Sequence, residues 1–202
     1  MSRKVPGLPG LLTTGRRSLS VVDELNALAR SAARGDRAAL TELIRATQHD
    51  VWRLCAHLVD PAAADDLAQE TYLRAVPALR GFRGDAPVRA WLLTIARRVC
   101  AAEIKSRQRA REAAAYLAAS LPAAEGSSDP GLRAELILLL SSLDQDRRAA
   151  FVLTQVLGCS YAETAAICGV PVGTIRSRVA RARADLDELL IRERAQDRIM
   201  DA

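Results

Sequence analysis

Aromatic side chains are scarce in this chain of 202 residues: they make up only 3% of the sequence, although half of its residues are hydrophobic. Few large rings are available to fill the space between β-sheets, so the core is expected to consist of Ala, Leu, Val and Ile on packed helices. Apolar runs of roughly 18 residues, which a membrane span requires, are also missing. These absences favour an all-α protein without a membrane partner.

Cysteine and histidine are scarcer still, with four and two residues. No cysteine pair has CxxC spacing, and neither histidine adjoins a cysteine, so we expect no metal site and interpret the cysteines as small buried hydrophobes. Asp65 and Asp66 are neighbours without metal-ligand spacing to a histidine. Because a P-loop and a Ser/His/Asp constellation are absent too, we predict no enzymatic activity and no cofactor. Nothing indicates an oxidising compartment, and a cytoplasmic location is expected.

Positive charge is unevenly distributed along the chain, whose formal net charge is +5. Between Arg74 and Arg111 there are ten basic residues and two acids, a net charge of +8. The preceding segment, Val21 to Leu73, has a net charge of −4, and the following one, Glu112 to Cys159, has −3. Ordinary surfaces interleave both signs, so this zoning indicates a phosphate-binding surface in the middle of the chain.

The stretch from Ser160 to Arg183 has the pattern of a helix-turn-helix. Ser160 and Glu163 have capping-box spacing, Gly169 ends the first helix, and Pro171 suits the first turn of the second. One buried stripe is predicted on the second helix, formed by Ile175, Val179, Ala182, Leu186 and Leu189. No acid occurs between Glu163 and Asp185, so the outer surface is cationic, as a helix entering the major groove of DNA requires. The residues facing away from the stripe or flanking it are Thr174, Arg176, Ser177, Arg178 and Arg181.

A helical segment from Ala63 to Val76 carries a mixed outer face. Its inward residues are expected to be Leu67, Ala68, Thr71 and Ala75. The opposite side combines acids, an amide and aliphatic residues, namely Asp65, Asp66, Gln69, Glu70, Leu73 and Val76. Solvated faces rarely present Leu and Val among their acids, whereas a docking surface for a basic helical partner does. On the pattern alone, both interpretations remain open.

A Gly-rich loop from Leu79 to Pro87 leads into a basic helix that begins near Val88. The loop carries Arg80, Phe82, Arg83 and Asp85. The core stripe of the helix is predicted to consist of Val88, Trp91, Leu92, Ile95, Val99 and Ala102, with Trp91 as a core anchor and not a base-stacking residue. Basic residues that project elsewhere are Arg89, Arg97, Arg98 and Lys105, and we interpret them as phosphate-binding.

These segments divide the chain into five parts. Residues 1–20 are expected to be a disordered basic tail, because Pro and Gly interrupt its apolar residues and exclude a signal peptide. Residues 21–113 form a first helical domain, and residues 114–131 a flexible acidic linker rich in Pro, Gly and Ser. Residues 132–193 form a second helical domain with the helix-turn-helix, and residues 194–202 are expected to fray. The predicted fold is all-α, with two small domains joined by a linker.

Three motifs in this order resemble a bacterial sigma factor of the extracytoplasmic-function (ECF) group, within the sigma-70 family. They are DDLAQETYLRA at Asp65, FRGDAPVRAWLLTIARRV at Phe82 and GCSYAETAAICGVPVGTIRSRVARAR at Gly158. Each motif alone is a weak signal, because helix-turn-helices are common. All three in this order, with this linker, are specific, and the resemblance covers roughly Val21 to Ile191.

The resemblance implies a factor that is monomeric when free, binds core RNA polymerase and directs initiation at specific promoters. The helix similar to DDLAQE docks, in the family, on the clamp coiled coil of the largest polymerase subunit, which implies polymerase contacts by Asp66, Gln69, Glu70 and Leu73. The loop and basic helix look like the part that melts the minus 10 element, which implies DNA contacts by Arg80, Phe82, Arg83, Asp85, Arg89, Arg97, Arg98 and Lys105. The helix-turn-helix is similar to the family's minus 35 reader, which implies contacts by Thr174, Arg176, Ser177, Arg178 and Arg181. An anti-sigma protein is implied as a further partner.

Two residues depart from the family pattern, since Cys168 stands where Leu is usual and Thr164 where Ile is usual. A slightly underfilled helix-turn-helix core is therefore expected. The linker is also too short to hold the additional domain of the family's larger members. A rival hypothesis is a one-component transcriptional regulator whose first domain senses a signal or dimerises. That hypothesis predicts operator binding without polymerase.

Overall fold

The computed structural model describes residues 14–118 and 139–200, and all regular structure in these ranges is helical. The α-helices are α1 (Thr14–Ala33), α2 (Arg37–Leu58), α3 (Ala64–Ala78), α4 (Val88–Ala118), α5 (Gln145–Phe151), α6 (Tyr161–Cys168) and α7 (Val172–Met200). A 3-10 turn, Leu79–Gly81, follows α3, and a π-helical segment, Val152–Val156, continues α5. The all-α prediction is confirmed.

Two helix starts in the first domain, which comprises α1 to α4, are fixed by side chains that accept hydrogen bonds from backbone N–H groups. The Oδ1 atom of Asp36 accepts from the N–H groups of Ala38 and Ala39, at 2.9 and 3.1 Å, and so caps α2. At the start of α4, the N–H group of Val88 donates to Oδ1 of Asn26 in α1, at 2.8 Å. Helix α1 therefore helps to fix where the basic helix begins.

Helix α4 is covered on more than one side, because it packs against α1, α2 and α3 and also against α6. Of its predicted core stripe, Ala102 is exposed, while the rest is buried or half-buried. Four further residues outside that stripe are also buried, namely Ala90, Leu93, Ala96 and Cys100. The single-stripe prediction was incomplete because it assumed one neighbouring surface, whereas α4 has two.

The second domain, α5 to α7, packs directly on the first. Buried residues of both domains belong to one continuous hydrophobic cluster, which includes Leu54 and Leu92 on one side and Leu153 and Ile167 on the other. Hydrogen bonds also cross the boundary: Nη2 of Arg53 donates to the carbonyl of Val156 at 3.0 Å. The two domains therefore share one core in this arrangement.

Three helices extend past the boundaries that were predicted from the sequence. Helix α1 begins at Thr14, inside the predicted tail, and α4 continues to Ala118, inside the predicted linker. Helix α7 continues to Met200, through most of the segment that was expected to fray. The rest of the tail (1–13), the rest of the linker (119–131) and the start of the second domain (132–138) lie outside the described residues.

Candidate nucleic-acid and protein interfaces

The helix-turn-helix is built by local interactions that the sequence predicted. Ser160 Oγ accepts a hydrogen bond from the N–H group of Glu163 at 3.1 Å, and Oε2 of Glu163 accepts from the N–H group of Ser160 at 2.8 Å. This is the predicted capping box at the start of α6. Gly169 then adopts the left-handed conformation, with φ of 69°, which ends α6 and turns the chain into α7.

The outer face of α7 exposes part of the predicted DNA-reading set. Arg176, Ser177 and Arg181 are exposed, and Thr174 is half-buried. Arg178 instead forms an ion pair with Asp146 at the start of α5. The predicted stripe is confirmed, since Ile175, Val179 and Ala182 are buried and Leu186 and Leu189 are half-buried. The ion pair of Arg178 could not be predicted, because Asp146 lies 32 residues away in sequence.

Thr164, in α6, is fully buried, and its hydroxyl has no hydrogen-bond partner among the described residues. Other helical threonines donate to the carbonyl four residues earlier, as Thr71 does to Leu67 at 2.8 Å. A buried polar group without a partner loses its hydrogen bonds to water and gains nothing in exchange. The departure at Thr164 is therefore a local weakness of the helix-turn-helix.

Replacing Thr164 by valine is expected to raise the free energy of unfolding of the second domain by about 1 to 3 kcal/mol, because an unpaired hydroxyl is exchanged for a methyl group of similar size. Urea unfolding, followed by circular dichroism, measures the change. Thr71→Val is the matched control, since this threonine is equally buried but hydrogen-bonded, and it should give no increase. Equal effects of the two substitutions would contradict the assignment.

Two of the predicted phosphate-binding arginines of α4 face the second domain instead of solvent. Arg89 Nε pairs with Oδ2 of Asp50 at 2.6 Å, and its Nη2 donates to the carbonyl of Leu157 at 2.8 Å. Arg97 Nε donates to the carbonyl of Ile167 at 3.3 Å. Burial disfavours the charged form of Arg89, but the hydrogen bond and charge of Asp50 outweigh this and raise its pKa above the ordinary value. In this arrangement both guanidinium groups are engaged in holding the domains together.

The other residues predicted to contact the minus 10 element lie in the loop before α4 and on the solvent-exposed side of α4. Arg80, Arg83, Asp85, Arg98 and Lys105 are exposed. Gly84 in this loop has a φ of 82°, a conformation that glycine adopts without strain.

Phe82, also in this loop, is half-buried and packs on Trp91, with ring centroids 5.5 Å apart and planes inclined by 53°. Both rings pack against the hydrophobic core and are themselves partly buried. Trp91, which was predicted to be a core anchor, therefore lies at the edge of the core.

The mixed face of α3 is exposed as predicted. Asp66 and Gln69 are exposed, Leu73 is 63% exposed, and Glu70 pairs with Arg74 at 2.6 Å. An apolar groove of about 410 Å³ lies beside them between α2 and α3, lined by Ile44, Gln69, Tyr72, Leu73, Val76 and Pro77. A second cavity, of about 390 Å³, adjoins it towards Gln48, His49 and Trp52. Helix α3 thus forms one wall of the apolar groove, and its Asp65 lines the adjoining cavity.

Helix α2 supplies the wall of this groove that sequence reasoning missed. Ile44 lines both cavities, and the hydroxyls of Thr47 and Tyr72 share a hydrogen bond of 2.8 Å that fixes the Tyr72 ring. Burial raises the pKa of the Tyr72 hydroxyl. The only sequence signal for this wall was the apolar periodicity of α2, which predicts core positions and does not distinguish them from the floor of a groove.

The cysteines lie in apolar surroundings, as expected: Cys55, Cys100 and Cys159 are buried and Cys168 is half-buried, all as free thiols. Burial raises the pKa of the Cys159 thiol, and the nearby charge of Arg89 only partly opposes this. Within the described ranges, no three His, Cys, Asp or Glu side chains are grouped so that they could hold a metal ion. None of the helices in those ranges is both long and apolar enough to span a membrane.

Comparisons with known proteins match both domains. The family model for sigma-70 region 2 matches residues 43–110, which include α3 and most of α2 and α4, and the model for sigma-70 region 4 matches residues 133–186, which contain the helix-turn-helix. The ECF RNA polymerase sigma factor SigC of Mycobacterium tuberculosis is 48% identical over 166 residues, which cover 80% of this chain and 88% of that protein.

Two solved structures are also similar. One is CnrH in complex with the cytosolic domain of CnrY, with a TM-score of 0.67 and 28% identity over 83% of this chain and 97% of that one. The other is the sigma factor RpoE of Bartonella quintana in complex with the anti-sigma factor NepR, with a TM-score of 0.60 and 30% identity over 75% of this chain and 96% of that one. Both domains and their order thus agree with the resemblance seen in the three motifs, and the chain belongs to the ECF sigma factors of the sigma-70 family.

Proposed function

We propose that this chain binds core RNA polymerase and directs it to promoters whose minus 35 and minus 10 elements it reads. The observation that carries the proposal is the occurrence of both sigma-70 regions in one chain, with a helix, α7, whose N-terminal part from Val172 to Ala184 contains arginines and no acid. The alternative of a one-component regulator is not favoured, because residues 43–110 match sigma region 2 and not a sensor domain.

Helix α7 reads the minus 35 element in this proposal. The exposed Arg176, Ser177 and Arg181 reach base edges or phosphates in the major groove, where Arg pairs best with guanine. Thr174, half-buried near the helix start, contacts the backbone or a base methyl group. Arg178 has two possible roles. It keeps its ion pair with Asp146 and thereby orients the domain on the DNA, or it leaves Asp146 and binds a phosphate group.

The loop before α4 and the open side of α4 act on the minus 10 element. Arg80, Arg83, Arg98 and Lys105 supply phosphate contacts, while Phe82 and Asp85 line a pocket for a base removed from the stack. Two further contacts, Arg89 and Arg97, are engaged with the second domain. Their contact with DNA therefore requires the two domains to separate, which core polymerase can drive by holding each domain on a different surface.

The outer face of α3 docks on the polymerase clamp coiled coil. Leu73 and the apolar groove beside it offer buried area, and Asp66, Gln69 and Glu70 offer a polar and acidic rim to a basic helix. An anti-sigma protein is a further partner, as NepR is for the Bartonella sigma factor.

A run-off transcription assay with core polymerase tests this function. Promoters are first located by sequencing transcript starts after overexpression of the protein. We expect specific transcripts only when core enzyme and this chain are both present, because each is needed for promoter choice and catalysis. A chain that shifts promoter DNA alone and adds nothing to the core enzyme would contradict the proposal and support the regulator hypothesis.

A further inference from the structure

A cavity of about 410 Å³ lies where the two domains meet. Its walls come from the C-terminal end of α2, from the middle of α4, and from Ser141 and Arg148 of the second domain. The volume falls within the range of about 300 to 1,000 Å³ that is common for small-molecule sites. None of the residues lining it belongs to the proposed polymerase or promoter contacts.

Arg148 lines this cavity as a half-buried cation that forms no ion pair within the part of the chain that the structure describes. Its two terminal nitrogens donate to the backbone carbonyls of Leu58, Ser141 and Leu143, and its Nε is buried without a hydrogen-bond partner. Burial lowers the pKa of Arg148, and the charge of Asp144 opposes this only in part. A cation that is withdrawn from water and bonded only to neutral carbonyls is stabilised by any anion placed beside it.

Other charges around the cavity leave one more cation unpaired. Arg107 is neutralised by Glu103, at 2.6 Å, and by Asp60. The amide of Gln108 donates to Glu112 at 3.0 Å. Arg111, in contrast, is exposed and forms no ion pair with the described residues. Arg111 and Arg148, which have no carboxylate partner among residues 14–118 and 139–200, thus line the same cavity from different domains.

We propose that this cavity binds the diphosphate group of a small molecule, with phosphate oxygens between Arg111 and Arg148. The guanidinium group of Arg111 presents paired N–H donors that match the spacing of phosphate oxygens. Arg148, whose terminal nitrogens donate to carbonyls, adds the attraction of its positive charge, so the two side chains suit an anion with two charged groups. The apolar wall formed by Leu58, Val59 and Ile104 leaves room for a nucleoside beside the phosphates. Because the ligand contacts both domains, it favours their packed arrangement over a separated one.

Isothermal titration calorimetry of the full chain at constant ionic strength tests the site, with inorganic pyrophosphate as the probe. Arg111→Gln should weaken binding by about tenfold or more, because one charged pair is lost. Arg109→Gln is the matched control, since Arg109 is an exposed arginine of the same helix outside the cavity, and it should bind as the wild type does. Absence of binding to the wild type, or equal affinity in all three proteins, would overturn the proposal.

A second experiment compares melting temperatures with and without the probe. Pyrophosphate should raise the melting temperature of the wild type and leave that of Arg148→Gln unchanged. If Arg148→Gln does not fold, the comparison of Arg111→Gln with Arg109→Gln decides. Adenosine diphosphate as a second probe separates the sources: tighter binding than pyrophosphate supports a nucleotide, and equal binding supports the free anion. Neither experiment includes DNA or polymerase, so its outcome is independent of promoter recognition.

Discussion

Replacing Leu73 by aspartate is expected to abolish binding of core RNA polymerase while leaving the fold intact. Leu73 is 63% exposed in the free chain, so the substitution costs little in folding. In the proposed complex, however, its side chain is covered by the clamp, and an aspartate there loses its hydration beside the carboxylates of Asp66 and Glu70. We expect the Kd for core enzyme to rise by at least about 100-fold, measured by fluorescence anisotropy with labelled protein.

The matched control is Ile191→Asp, since Ile191 is 67% exposed but lies on α7, away from the proposed docking surface. Its affinity for core enzyme should equal that of the wild type. Alanine at both Asp66 and Gln69 is expected to weaken binding less than Leu73→Asp, because rim residues contribute less than a buried centre. If Leu73→Asp binds core enzyme with the affinity of the wild type, α3 is not the docking surface.

Replacing Arg176 by alanine is expected to cost about 1 to 3 kcal/mol of promoter binding, or roughly 5- to 150-fold, if its guanidinium contacts one base pair of the minus 35 element. The side chain is exposed on the outer face of α7, so the fold should not change. Promoter templates that differ at single minus 35 positions, bound by the reconstituted holoenzyme, provide the measurement. We expect the variant to lose discrimination at one position.

Arg192→Ala is the control on the same helix, because Arg192 is exposed and pairs with Glu188 at 2.5 Å, beyond the predicted DNA-reading positions. It should bind every template as the wild type does. An equal loss on all templates with Arg176→Ala, together with a weaker salt dependence, would mark Arg176 as a phosphate contact and not as a base reader.

The packing of the two domains determines which of the proposed DNA-contacting side chains are accessible. In the arrangement described here, α6 lies against α4, and Arg89 and Arg97 donate to carbonyls of the second domain. The reading face of α7, in contrast, keeps Arg176 and Arg181 exposed. The side chains that we propose for the minus 35 element are therefore accessible in the packed arrangement, whereas two of those proposed for the minus 10 element, Arg89 and Arg97, are not free.

The sequence by itself determined the local structure and the family. The capping box of Ser160 and Glu163, the helix end at Gly169 and the stripe from Ile175 depend on residues within a few positions of one another, so their spacing was enough to predict them. The order of the three motifs then indicated a sigma factor, which the matches to regions 2 and 4 confirm.

Only the tertiary structure decided which of the arginines predicted to contact DNA are free of contacts with the second domain. Arg89 donates to the carbonyl of Leu157, 68 residues further along the sequence, and Arg97 donates to that of Ile167, 70 residues further along. The unpaired hydroxyl of Thr164 and the buried Nε of Arg148 were equally invisible, because each depends on which groups fold around it. Helical periodicity places a side chain on a face of its own helix, but what covers that face is set by the packing of distant segments.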